Sequence, residues 1–123
     1  MARARSSSAA GAVVVITGAA RGMGELYARR AVDEGAAAIA LWDMDPDGLA
    51  RLRFELEALG ARVHTTTVDI SDRAAVDAAA ASMLAEIGVP DILVNNAGIV
   101  RGKVFWEHDA ERDIEATVRV NTL

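Results

Sequence analysis

The sequence predicts an α/β fold with a doubly wound parallel sheet, and three observations carry that expectation. An apolar, β-branched run at 13–16 breaks directly into a turn with glycines at positions 18, 22 and 24, and that turn opens a helical stretch. Apolar runs of strand length then alternate with stretches of helical periodicity, which is the pattern of consecutive βα crossovers. With 123 residues, 52% of them hydrophobic, the chain can bury one core, so it forms one domain or part of one. Four βα units in this order predict a strand order of 3-2-1-4, a crevice at the switch point between strands one and four, and a sheet left incomplete on its C-terminal side.

Taken in order, residues 1–11, with two arginines, three serines and no acid, read as a flexible N-terminal tail, with an organelle-targeting peptide as the alternative. The first strand has the unbroken apolar character of a strand buried on both faces, and Thr17 and Gly18 end it. Gly22, which has no Cβ, lets another backbone come close, and Gly24 lets the new helix pack tightly on the strand. A helix N-terminus presents unpaired N–H groups and a partial positive charge. A glycine trio between a buried strand and such a helix is therefore shaped to hold a pyrophosphate, an ordinary βα turn being the competing reading. The first helix is expected over 25–34, with Leu26, Ala28, Ala31 and Val32 toward the sheet and Gly35 as its stop.

Residues 37–42 form the second buried strand. It ends at Asp43, about where a dinucleotide-binding domain places the acid that accepts hydrogen bonds from the adenosine ribose. The next helix, 46–59, sets Leu49, Leu52, Leu56 and Leu59 at helical spacing, with Pro46 at its start and Gly60 as its stop. A third strand over 62–68 leads into Asp69-Ile70-Ser71-Asp72, where Asp69 or Ser71 can cap the following helix. That helix, 73–87, buries Val76, Ala80, Met83, Leu84 and Ile87, and Gly88 and Pro90 close it. The fourth strand, 91–94, runs into Asn95-Asn96-Ala97-Gly98, which a generic turn could use for backbone reasons alone. Residues 100–108 make a longer connection holding Phe105, Trp106 and the only lysine, Lys103; it either borders a substrate pocket or carries a few apolar anchors. Asp109 reads as the N-cap of a last helix in which Asn121 falls late.

Composition removes several functions. The formal net charge is -5 and the basic residues are scattered rather than striped, so no nucleic-acid partner is implied. The lack of cysteine excludes a disulfide framework and a thiolate metal site, and it suits a reducing cytoplasm, the expected location. His64 and His108 are too few and too far apart for a metal site, and none is expected. The longest apolar run, 36–42, is far short of the ~20 residues that cross a bilayer.

Two of these stretches carry a family resemblance. Thr17-Gly18-Ala19-Ala20-Arg21-Gly22-Met23-Gly24 has the spacing T-G-x-x-x-G-x-G, and the fourth strand ends in N-N-A-G; both resemble signatures of the short-chain dehydrogenase/reductase family. The resemblance implies an extended Rossmann-type fold that moves hydride between a nicotinamide cofactor and an alcohol or carbonyl. It covers residues 12–123 as the N-terminal, cofactor-binding half of the family's domain. It implies that Thr17, Gly18, Arg21, Gly22, Met23 and Gly24 form the cofactor loop. Asp69 would meet the adenine amino group and Ile70 the adenine ring, Asn95 would brace the sheet, and Ala97 and Gly98 would keep the backbone low beside the cofactor. Asn121 matches the asparagine that holds a water in the family's proton relay. The family's general-acid/base tyrosine, its lysine and the carbonyl-polarising serine lie beyond that asparagine, and no Tyr-x-x-x-Lys occurs here; position 31 is alanine, so Tyr27 reads as a packing residue. The wording of 41–43, 59–64 and 92–100 looks like the branch of retinol and 17-beta-hydroxysteroid dehydrogenases, which implies a lipophilic secondary or allylic alcohol.

Two functions remain. The first is a dehydrogenase of which this chain is the cofactor-binding part, inactive by itself. The second is a short protein that binds a dinucleotide or a partner without catalysis. A chain ending inside a helix, with nothing to pair the open side of strand four, favours the first. The expected partners are a nicotinamide dinucleotide, a small-molecule alcohol or carbonyl and, for a full-length protein, further copies of itself. Asp43 would accept two ribose hydroxyls and repel a 2′-phosphate, so NAD is expected over NADP. Arg21, just before the second glycine, is a feature of NADP-preferring relatives and pulls the other way.

Overall fold

The computed structural model describes residues 8–97 and the backbone of residues 119–120. Strands β1 (Val13–Thr17), β2 (Ala38–Asp43), β3 (Val63–Thr67) and β4 (Ile92–Asn95) are joined by helices α1 (Gly22–Asp33), α2 (Pro46–Ala58) and α3 (Arg73–Ile87). Every pairing among them is parallel, and the order β3-β2-β1-β4 is the one expected.

A fifth strand, β5 (Arg119–Val120), extends the sheet, placing Arg119 opposite Ile92 and Val120 opposite Leu93. Two expectations are corrected by it. Positions 119 and 120 are strand rather than late helix, and the outer edge of β4 has a partner instead of lying open. The physical reason is local: Thr117, Val118 and Val120 supply β-branched residues, and β4 presents unpaired backbone groups that a parallel neighbour satisfies.

The apolar runs of β1 and β2 are continuous because each face of the sheet meets helices. Val14, Ile16, Ile39, Leu41 and Val63 pack with Ala28, Ala31, Leu49, Leu52 and Leu56 from α1 and α2. Val15, Ala38, Ala40, Trp42 and Leu93 pack with Val76, Ala80 and Met83 from α3. Alternate side chains of one strand thus enter two separate cores, which is what winds the sheet on both sides. Tyr27 packs, partly buried, against the first of these cores, as expected.

Element ends differ in instructive ways. α1 begins at Gly22, ahead of the expected residue 25, because glycine's poor helix propensity hides a first turn that is specified by the loop. Leu26, expected toward the sheet, is 55% exposed, and Leu59, expected on the apolar stripe, is 63% exposed as the C-cap of α2. The α3 bounds are those expected, but its cap is neither Asp69 nor Ser71: Asp72 Oδ1 accepts from Ala75 N at 3.1 Å. Asp45 caps α2 likewise, accepting from Gly48 N at 3.1 Å. Within the segment expected to fray, residues 9 and 11 are pinned to the C-terminal end of α1. Ala9 N donates to Glu34 Oε1 at 2.6 Å, and Gly11 N to the Gly35 carbonyl at 2.9 Å.

Candidate functional site

The parallel strands all deliver their C-terminal ends to the same side, and that side carries a cavity of about 420 Å³. The volume lies within the range of small-molecule sites. Gly18 and Arg21 of the glycine turn line it, with Trp42, Asp43 and Met44 from the end of β2, residues 68–71 after β3, and Ala97 after β4. Six residues singled out in the sequence are therefore brought together: Gly18, Arg21, Asp43, Asp69, Ile70 and Ala97.

Of the other predicted residues, Thr17, Asn95 and Gly24 shape the turn rather than line the cavity. Thr17 is fully enclosed; its hydroxyl donates to Asn95 Oδ1 at 3.0 Å and accepts from Ala97 N at 3.0 Å. β1 is thereby joined to β4 where the crevice opens. Asn95 is used in that junction. Gly24 lies behind the turn, where a Cβ would fall 1.9 Å from the Gly18 carbonyl oxygen. Gly22 is exposed at the first position of α1, with φ 61 and open space where a Cβ would stand. Met23 is half exposed and outside the cavity lining. Gly98 and Asn121 lie outside the described residues.

The sequence reading missed Asn96 as a side-chain contact. Its Nδ2 donates to the Gly18 carbonyl at 3.1 Å, tying the N-N-A-G turn to the glycine turn. Val68 and Ser71 were also missed as lining residues, although they flank the predicted Asp69-Ile70 pair. Trp42 contributes to the cavity wall although it is almost wholly buried.

The electrostatics favour a ligand with an anionic middle and hydroxyl donors. α2 and α3 each have an aspartate at the N-cap, whereas Arg21 at the N-cap of α1 makes no side-chain cap hydrogen bond. The first N–H groups of α1 are thus without a side-chain cap, while the Glu25 carboxylate in the same turn offsets part of the positive end. Asp43 stands at the end of β2 with Oδ2 accepting from Ala20 N at 2.9 Å and Oδ1 from Asp45 N at 3.0 Å. Those bonds fix the carboxylate, and each oxygen keeps a further lone pair for a ligand hydroxyl. The Ser71 hydroxyl and N–H both donate to Asp69 Oδ1, at 2.7 and 2.9 Å, and hold its carboxyl below the usual aspartate range. It remains an acceptor at neutral pH. Among the described residues no cluster of histidine, cysteine, aspartate or glutamate could hold a metal, and no helix is long and apolar enough to cross a membrane.

Residues 12–123 match the family model for short chain dehydrogenase. The chain is 41% identical over 120 residues to estradiol 17-beta-dehydrogenase 11 of Pongo abelii, covering 97% of this chain and 39% of that protein. It is 39% identical over 99 residues to epidermal retinol dehydrogenase 2 of Homo sapiens, covering 80% of this chain and 32% of that protein. The chain therefore spans about two-fifths of the length of the first of these curated relatives and about a third of the second. Among solved structures it resembles a short chain dehydrogenase/reductase from Burkholderia phymatum in complex with NAD, with TM-score 0.70 and 38% identity over 75% of this chain and 32% of that one. It also resembles L-sorbose reductase from Gluconobacter frateurii complexed with NADPH and L-sorbose, with TM-score 0.69 and 39% identity over 74% of this chain and 35% of that one.

Proposed function

Because this chain belongs to the short chain dehydrogenase family, in the branch of the 17-beta-hydroxysteroid and retinol dehydrogenases, we propose that it is the cofactor-binding part of a nicotinamide-dependent oxidoreductase acting on an alcohol or carbonyl. One observation carries the reading. The glycine turn, the uncapped N-terminus of α1, Asp43 and the Asp69-Ile70 pair meet at a single cavity at the C-terminal ends of the strands. That is the switch-point crevice at which doubly wound sheets bind nucleotides.

Each group has a task that its chemistry suits. N–H groups at the first turn of α1 and in the glycine turn donate to a pyrophosphate, with Arg21 as a nearby counter-charge. Asp43 accepts from the adenosine ribose hydroxyls, Asp69 accepts from the adenine amino group, and Ile70 and Met44 cover apolar ring surface. Ala97, after β4, lines the same cavity and presents only a methyl group to a bound cofactor. Asn121 holds a relay water in the complete protein. The bound nicotinamide supplies a hydride acceptor or donor. A lipophilic secondary or allylic alcohol is the substrate class, on the strength of the estradiol and retinol dehydrogenases among the relatives. A non-catalytic dinucleotide-binding module is the second reading, and the lack of any Tyr-x-x-x-Lys in the 123 residues favours it for this chain taken alone.

The cofactor is assigned as NAD. A 2′-phosphate beside the fixed Asp43 carboxylate would set like charges together in a partly desolvated site, a juxtaposition that costs several kcal/mol. Arg21 lines the same cavity, but it is not held against Asp43 by any ion pair found among the described residues. Titrating the protein with NADH and NADPH by nicotinamide fluorescence should give NADH tighter by about tenfold or more. Equal or tighter NADPH binding would reverse the assignment, and binding of neither would remove the dinucleotide reading itself.

A further inference from the structure

Ala20 sits in the glycine turn yet is only 2% exposed, and three groups hold it. Its N–H donates to Asp43 Oδ2 at 2.9 Å. Its carbonyl accepts from Arg51 Nη2 at 3.2 Å. A Cβ on Gly48 would stand 2.6 Å from Asp45 Oδ2, the cap of α2, and 2.9 Å from the Ala20 Cβ, so the missing side chain lets both the cap and the turn come close to α2. Arg51 also reaches Glu25 in the first turn of α1 at 3.3 Å and Glu55 at 3.4 Å, and Arg29 joins those same two glutamates. The four charges link α2 to the helix that opens from the turn.

We propose that Gly48 and Arg51, on the N-terminal half of α2 and outside the cavity, are positioning residues that pre-set the glycine turn for the dinucleotide. The inference rests on the dinucleotide reading given above. Its physical basis is pre-organisation. Gly18 at φ 63 and Gly22 at φ 61 give the turn access to conformations that other residues lack, and a turn left free must be ordered when the ligand binds. Arg51 lowers that cost by holding the Ala20 carbonyl, which lies between the two glycines. As an ion pair it contributes little to stability, because its side chain is 48% exposed and solvent screens such pairs. Its effect is therefore expected in the turn and in binding rather than in melting.

Arg53 provides the matched control, since it pairs with Glu57 four positions on at similar exposure and touches nothing in the turn. Amide hydrogen exchange over residues 17–24, measured without cofactor on the full chain, should speed up about fivefold in Arg51→Ala and in Gly48→Ala, and stay unchanged in Arg53→Ala. NADH affinity should fall about three- to tenfold in the first two variants, be partly restored in Arg51→Lys, and stay unchanged in Arg53→Ala. The melting temperature of Arg51→Ala should remain within about two degrees of the parent. Parent-like exchange in Arg51→Ala overturns the proposal whether or not any cofactor binds. Parent-like NADH affinity in Arg51→Ala overturns it when the parent binds NADH. A parent that fails to bind NADH overturns the dinucleotide reading instead.

Discussion

At the scale of single residues, the glycine motif meets two separate constraints in three different ways. Gly24 has no positive φ; it is required because its missing Cβ is the space that the Gly18 carbonyl occupies, 1.9 Å from where the carbon would be. Gly22 meets nothing within 4 Å and is required for its backbone, at φ 61. Gly18 combines both constraints, with φ 63 and a Cβ position 3.0 Å from Asn96 Nδ2. The sequence made the motif legible as a unit because spacing between a strand and a helix is a local signal. Its assignment of Gly24 to close packing agrees with the contact to Gly18, whereas its assignment of Gly22 to close approach of another backbone does not, since nothing lies within 4 Å of the Cβ position there. It did not show Thr17 as the junction of two strands, because the partner Asn95 lies 78 positions away. A contrast between two variants follows. Gly24→Ala forces backbone apart and should lower unfolding stability by about 3 kcal/mol, as severe overpacking does. Gly22→Val should cost about 1–2 kcal/mol of backbone strain while weakening NADH binding more than tenfold, by placing methyl groups where the ligand approaches. Urea unfolding together with NADH titration separates the two, and a Gly22→Val protein that binds like the parent would mean that the turn does not carry the pyrophosphate.

At the scale of elements, the three helices differ most in how they begin. α3 was legible in its bounds, because a glycine at φ 89 closes it, but not in its cap or its whole buried face: the capping carboxylate is Asp72 rather than Asp69 or Ser71, and Leu84 is only partly buried. α1 was legible at its end and not at its start, since its first turn is glycine, methionine and glycine and takes its place from the loop. The buried positions Gly24, Ala28 and Ala31 lie four and then three apart, which turns Leu26 outward; size alone had suggested the reverse. α2 and α3 are capped by aspartate side chains, whereas α1 has no side-chain cap. Asp72→Ala should accordingly lower unfolding stability by about 1 kcal/mol and leave NADH affinity unchanged. Chemical denaturation and titration of the same preparation test both parts, and an affinity loss as large as that of a turn variant would show that α3 bears on the site after all.

At the scale of the whole molecule, strand order was legible because each right-handed crossover leaves one place for the next strand, and β5 was not, because a two-residue strand carries no periodicity. β5 also changes what the chain should do in isolation: with Ile92 and Leu93 paired to it, the first half of the β4 edge is covered, which lessens its invitation to another copy. Binding and turnover should then come apart in the 123-residue chain. The groups assigned to the adenosine and pyrophosphate are present and converge, so a dinucleotide should stabilise the fold by mass action, by about 2.7 kcal/mol at a hundred times its dissociation constant. Alcohol oxidation asks for more, because a positioned general base is worth about 10²–10⁴-fold and the hydroxyl proton must go to it as hydride leaves. The chain's single tyrosine, Tyr27, packs against the core beneath α1 and α2 rather than at the cavity, and no lysine stands four residues beyond it. A thermal melt with and without saturating NADH should therefore show a rise of several degrees. The same preparation, given NAD⁺ and a panel of secondary and allylic alcohols, should produce no NADH above a protein-free blank. Turnover by this chain would mean that some other side chain takes the proton, and the role transferred from the family's tyrosine would have to be reassigned within these 123 residues.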